Sequence, residues 1–348
     1  MSGAPLKPWR VGLSHDLRAD DGSTSWGDIG LGLLDARSDV VWDFLVPDDG
    51  VLTADHVDGY DAVLFAAPAV TAQTVSGPRP PRLLARFGVG LDAVDVDACT
   101  AAGVAVSITP DGSRRPVATA ALSLLLAVQH NLVAKDRLVR EGRWQDRMAW
   151  RGRAVTGTTV GTFGLGNVAQ ELFALLAPFG VRRLATDPGR TAAEAAALGV
   201  ELVDADTLAR ESDAVVVTAA LTPATRHAFD ARRISLMRPH AVLVNVARGP
   251  IVDTEALADA LVERRLAGAG LDVMDPEPLP LPHRLLELDT VVLAPHALAW
   301  TDELALGNGT SALRSILDVL DGKVPPYVVN PGALERQGGP TPEQEVSA

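Results

Sequence analysis

Short apolar runs alternate along the chain with stretches of helical periodicity, and this alternation predicts a parallel, doubly wound α/β architecture. Runs at 11–14, 40–45, 61–65 and 104–108 read as strands of a first small α/β region, and the apolar run 83–87 leads into a glycine turn at 88–92. The polar, glycine-rich stretch 18–27 reads as a loop, and 99–103 as the continuation of a helix. Pro110 to Pro116, with its internal glycine, reads as a linker. A long helix is predicted from Val117 through Asn131, followed by a more polar amphipathic segment to about Met148. Strands are then predicted at 160–163, 184–186, 213–217, 241–245, 269–273 and 290–293. Helical stretches separate most of them, notably 254–266, and a last long helix is expected over 301–320. The tail from 333 to 348 is expected to be disordered, being rich beyond Gln337 in Gly, Pro, Glu and Gln.

One stretch organises the rest. Val160 to Phe163 is strand-like, Gly164-Leu165-Gly166-Asn167-Val168-Ala169 follows, and Val168, Leu172, Leu175, Leu176 and Phe179 then recur at helical spacing up to Gly180. A second short strand, Leu184 to Thr186, ends on Asp187. This is a βαβ unit in which Gly164 permits the tight turn and Gly166 lets the backbone approach a pyrophosphate. The N–H groups of Asn167 and Val168, at the helix N-terminus, are placed to receive that anion. Asp187 stands where an acid can accept from the adenosine ribose 2′-OH, so the unit predicts a dinucleotide, NAD in preference to NADP.

Composition narrows the partners. The chain has 348 residues, room for two domains, with 47% hydrophobic and 22% charged residues and a net charge of −13. That field repels nucleic acid and anionic membrane surfaces. A single cysteine, Cys99, rules out an intrachain disulfide and a cysteine-rich metal site, and no metal is expected. Met1 to Arg10 shows no signal-peptide pattern, so the expected location is the cytoplasm.

Three polar sequences fall at or just beyond strand ends in the second half: Asn245-Val246-Ala247-Arg248-Gly249, Asp272 to Pro278 with Glu277, and Pro295-His296. In an open parallel sheet such loops border the ligand crevice. Each alone has an ordinary reading as a salt bridge, a solvated acid or a capping histidine. Together, beside a dinucleotide unit, they predict a catalytic constellation. The chain resembles the D-2-hydroxyacid dehydrogenase family over about Arg82 to Trp300. The resemblance rests on Gly88-Val89-Gly90-Leu91-Asp92, the Gly164 fingerprint with Asp187, Leu221 to Thr225, Asn245 to Asp253, Asp272 with Glu277, and Pro295-His296.

That resemblance implies two Rossmann-like domains, each with a doubly wound parallel sheet, and a cleft between them. The substrate-binding domain would comprise 1–109 plus 298–332, and the NAD-binding domain 110–297. Arg248, Glu277 and His296 would be the catalytic residues of an NAD-dependent 2-oxo acid reductase. His296 would supply the proton, Glu277 would favour its charged imidazole, and Arg248 would grip the substrate carboxylate. The N–H groups around Val89 and Gly90 would hold the other carboxylate oxygen. Thr225, Val246 and Asp272 join the cofactor-binding set, Asp272 through the nicotinamide carboxamide. A homodimer is implied, through the NAD-binding domain, and Trp144 and Trp150 beside arginines fit an interface.

Two departures bear on the substrate. Thr119 stands where relatives usually carry a glutamate, and the Arg114-Arg115 pair is not a general family feature. The pair reads as a binding point for a second anionic group on the substrate, or as a solvated turn. Oxidation of a phosphonate or phosphite by the same fold, and a non-catalytic NAD(H)-sensing protein, are the competing readings.

Overall fold

The computed structural model of the protein describes residues 7–336. They divide into two units: residues up to Ser113 with those from Trp300 onward, and Arg114–Ala299.

The first unit contains β1 (Trp9–Leu13), β2 (Val40–Phe44), β3 (Val51–Leu52), β4 (Ala62–Phe65), β5 (Ala69–Val70), β6 (Leu83–Arg86) and β7 (Ala105–Ser107). Five of these make a parallel sheet in the order β2-β1-β4-β6-β7, and β3 pairs with β5 beside it. One sheet face packs Val63, Phe65, Leu84 and Val106 against Cys99 of the helix Val96–Ala101. Burial of that cysteine pushes its thiol up to about 11, so it stays protonated. The long helix Asp302–Leu320 packs on β4 and β6. Its Gly309 lets the segment around Ile29 lie directly on it, since a Cβ there would stand 2.1 Å from the Ile29 carbonyl oxygen. The chain then returns to β7: Val329 N–H donates to Val106, Ile108 N–H donates to Tyr327, and buried Asn330 accepts from Val106 N–H while donating to Val104 and Thr100.

The second unit contains β8 (Thr159–Phe163), β9 (Arg182–Thr186), β10 (Glu201–Leu202), β11 (Ala214–Val217), β12 (Val242–Asn245), β13 (Gly268–Leu271) and β14 (Val291–Leu293). All seven are parallel, in the order β10-β9-β8-β11-β12-β13-β14. Successive residues of β11 feed opposite cores: Val215 and Val217 pack with Leu257 and Leu261, while Ala214 and Val216 pack with Leu124 and Leu172. Helices on both faces explain why these strands read as continuous apolar runs. The chain fills the β9, β10 side first and then crosses to β11. The switch point therefore lies between the carboxyl ends of β8 and β11, where ligands of such sheets bind. Among the described residues no single helix is long and apolar enough to cross a membrane.

The structure differs from the sequence reading in several places. Pro110 to Pro116 is not a linker but the start of the helix Pro110–Gln129. Proline is favoured at a helix's first position, and Gly112 is needed there because a Cβ would fall 2.3 Å from Asn308 N of the crossing helix. The predicted helix end at Asn131 is a left-handed residue (φ 50°), after which a separate helix runs from Leu132 to Arg140. Trp144–Trp150 is a 3-10 stretch rather than part of an amphipathic helix. The helix read at 99–103 lies earlier, at Val96–Ala101, started by Asp95 accepting from Ala98 N–H. The disorder expected from 333 does not hold for 333–336, since Gly332–Arg336 is helical with Ala333 and Leu334 buried; the rest of that expectation, at residues 337–348, lies outside the described range.

Candidate active site

Gly164 follows directly on β8, and its φ of 102° suits glycine. A Cβ there would also lie 2.8 Å from Ala219 N, beyond the end of β11, so this glycine lets two strand-end loops meet at the switch point. Gly166 caps the helix Asn167–Leu175, and a Cβ on it would meet nothing within 4 Å. That first turn has neither a side-chain cap nor an acidic residue. An open glycine before uncapped, uncontested N–H groups, including those of Asn167 and Val168, is the chemistry a pyrophosphate requires, so these residues fit a dinucleotide.

Asp187 ends β9 with its carboxylate fixed by backbone: Oδ2 accepts from Leu165 N–H at 2.7 Å and Oδ1 from Gly189 N–H at 2.8 Å. The acid and the glycine turn are thus one hydrogen-bonded piece. Arg190 lies 3.9 Å from Glu194. Thr225 closes the loop after β11, its hydroxyl donating to the Ala220 carbonyl at 2.7 Å. Val246 follows β12 and is half-buried.

The catalytic candidates Arg248, Glu277 and His296 all belong to the second unit, on the loops after β12, β13 and β14. Buried Asn245 shapes the first loop, accepting from Ala247 N–H (3.1 Å) and donating to the Arg248 carbonyl (3.0 Å). Gly249 lets this loop press on the second, since a Cβ would fall 1.8 Å from the Met274 carbonyl oxygen. Thr254 Oγ1 accepts from Asp275 N–H at 3.2 Å and ties the same two loops. His296 sits at φ 55°, a left-handed conformation that a non-glycine residue adopts at a cost. Its Nδ1 stands 2.6 Å from Glu277 Oε1. With Nδ1–H donating to the carboxylate, Nε2 is the nitrogen left for another partner. Both side chains are part-exposed, 46% and 39%, as groups that meet a substrate must be.

Asp272 is where sequence reasoning saw least. It is buried, its carbonyl accepts from His296 N–H at 2.8 Å, and its Oδ1 accepts from Ala297 N–H at 3.0 Å and Leu298 N–H at 3.1 Å. Asp272 therefore holds the backbone of the histidine loop at His296 and just beyond it. The signal was an acid ending one strand beside a Pro-His ending the next, which are neighbours in any parallel sheet read in that order.

Other predicted residues fall elsewhere. Val89 and Gly90 belong to the first unit, in the turn after β6, where Val89 is exposed and the Gly90 carbonyl accepts from Arg86 Nε at 3.2 Å. Arg114 and Arg115 are helical, and Arg115 Nη1 lies 2.5 Å from Glu171 Oε1, so its charge already has an anionic partner within the second unit. Thr119 bonds back to the Arg115 carbonyl.

Residues 122–297 match the family model for the NAD-binding domain of D-isomer-specific 2-hydroxyacid dehydrogenases. The chain is 39% identical over 255 residues to a glyoxylate reductase of Thermococcus onnurineus, covering 72% of this chain and 76% of that one. It is 35% identical over 269 residues to a D-3-phosphoglycerate dehydrogenase of Methanocaldococcus jannaschii, covering 77% of this chain but only 51% of the relative, about half its length. A solved structure from Thermus thermophilus superposes with a TM-score of 0.80 at 29% identity, over 92% of this chain and 99% of that one.

Proposed function

The chain belongs to the D-isomer-specific 2-hydroxyacid dehydrogenase family, an NAD-binding group of oxidoreductases, and from that premise we propose that it interconverts a small 2-oxo acid and its 2-hydroxy acid. The observation that carries this reading is the 2.6 Å His296–Glu277 pair, in the same unit as a dinucleotide fingerprint. Bound NADH supplies the hydride. The chain supplies the rest. His296 donates its Nε2 proton to the carbonyl oxygen as negative charge develops there, and takes it back in the oxidation direction. Glu277 holds the ring by Nδ1 and so orients Nε2. Arg248, on a loop set by Asn245, binds the substrate carboxylate and polarises the adjacent carbonyl.

NADH is the preferred cofactor, because a carboxylate pinned by two backbone N–H groups at Asp187 repels a 2′-phosphate. Arg190, only 3.9 Å from Glu194, keeps a carboxylate partner. The test is steady-state turnover of a 2-oxo acid panel with NADH and with NADPH. Reduction of at least one acid, with a higher kcat/KM for NADH, is expected. Tight NADH binding without turnover of any acid would support the sensor reading instead.

The protein is further proposed to act as a homodimer in the cytoplasm. Supporting the dimer are Leu132, Val139, Trp144 and Met148, close together in the sequence of the second unit and each more than half exposed.

A further inference from the structure

A charge pair of the second unit lies beside the glycine turn without belonging to it. Arg115, on the helix Pro110–Gln129, reaches Glu171 on the helix Asn167–Leu175, with Nη1 2.5 Å from Oε1. Both residues belong to the second unit. Their helices share one core, in which Ala118 and Ala121 pack with Leu165, Ala169 and Leu172. Ala118 is one turn from Arg115, and Leu172 follows Glu171 directly, so the core holds both backbones beneath the pair.

The place of the pair points to its use. Glu171 lies four residues beyond Asn167, one turn and about 6 Å along the helix axis. Helical side chains lean toward the N-terminus of their helix, so this carboxylate is carried back toward the N–H groups of Asn167 and Val168. The guanidinium that meets it therefore stands beside the turn that fits a pyrophosphate.

That position calls for a cation. The first turn offers backbone N–H groups and the uncharged Asn167, while Glu171 just below repels an anion. The chain's net charge of −13 repels it further. The Glu171 side chain is 20% exposed and that of Arg115 51%, so the carboxylate is mostly covered while the guanidinium keeps an open side. A guanidinium is a planar fork of five N–H donors, and one carboxylate engages only part of it.

We infer that Arg115 is a cofactor-binding residue, whose guanidinium bridges the Glu171 carboxylate and the pyrophosphate of the dinucleotide. Glu171 is its positioning partner. The inference rests on NAD binding alone and is independent of which acid is reduced. The adenosine end of the cofactor gains nothing from this contact, so the effect is specific to the phosphates.

The test measures NADH binding by its fluorescence, and ADP-ribose and adenosine binding by displacement of NADH. The proteins are the wild type, Arg115→Ala, Glu171→Gln and the double variant. Arg115→Ala is expected to weaken NADH and ADP-ribose about tenfold, the scale of one charge-assisted hydrogen bond, and to change adenosine less than about twofold. Unchanged adenosine binding also establishes that the variant is folded. Glu171→Gln removes the opposing charge, and on that background loss of Arg115 is still expected to weaken ADP-ribose about tenfold. A double variant that binds ADP-ribose as tightly as Glu171→Gln would show that Arg115 only neutralises Glu171, which overturns the inference. So would an Arg115→Ala protein that loses adenosine as much as ADP-ribose, or that loses neither. None of these outcomes touches the 2-oxo acid reading, which turnover decides.

Discussion

Glu277 and His296 divide one task between them. In the proposed reaction the histidine moves the proton, and the glutamate fixes which nitrogen does so. Replacing His296 with alanine removes the acid, so kcat for 2-oxo acid reduction is expected to fall by about 10²–10⁴ while NADH binding is retained. Glu277→Gln keeps a hydrogen-bond partner within reach of Nδ1 but removes the charge, and an intermediate loss, roughly tenfold to a hundredfold in kcat, is expected. Stopped-flow reduction rates and NADH fluorescence titrations separate the two effects. A glutamine variant as fast as the wild type would show that the 2.6 Å pair is not used in the chemistry. Asp272 also braces this loop, accepting from the backbone N–H groups of His296, Ala297 and Leu298.

The strands of the second unit are tied at their amino ends by a partly buried ion cluster. Asp213, just before β11, accepts from Thr159 N–H at 2.8 Å, from His240 Nε2 at 2.7 Å and from Arg238 Nη1 at 3.1 Å, and so ties the starts of β8 and β12. Burial pushes this carboxyl up, but the hydrogen bonds from Thr159, His240 and Arg238 outweigh it and hold the group below the ordinary carboxylate range. A group with a depressed folded value stabilises the fold above its unfolded value, near about 3.9, and that contribution is lost as pH falls through the folded value. Asp213→Asn is therefore expected to cost about 1–3 kcal/mol at neutral pH. The gap in thermal midpoint between variant and wild type should close in acid, which a pH series of melting curves would check. A gap constant with pH would mean that the charge is irrelevant.

His240 illustrates what was legible in the sequence. Its place just before an apolar run was visible, but not its partner, because Asp213 precedes a different strand and only the register brings them together. The long strands, the fingerprint and the three strand-end motifs could be read because both faces of the sheet are covered and each loop carries its own polar residues. The two-residue strands β3, β5 and β10 could not, being too short to show a period. The helix from Pro110 was hidden by turn-forming residues whose purpose, a close crossing at Gly112 and Gly307, exists only in three dimensions.

At the scale of the molecule, the exposed apolar residues between Leu132 and Trp150 are what supports the proposed dimer. A dimeric mass by light scattering at micromolar concentration is the expected outcome. Trp144→Glu together with Met148→Glu should shift it toward the monomer, and a wild-type monomer would refute the proposal.

The division of the first unit into two chain segments has a consequence for biosynthesis. Its sheet is complete in sequence by Ser107, yet the long helix that covers β4 and β6 and the segment that lies along β7 come only after Asp302. At ordinary elongation rates of about 5–20 residues per second, the whole second unit takes roughly 10–40 s to emerge from the ribosome. Throughout that interval the nascent first unit carries an uncovered apolar sheet face and an unpaired edge. The part of the protein made first is thus the last to have its apolar face and edge covered, and it is exposed to aggregation for longest.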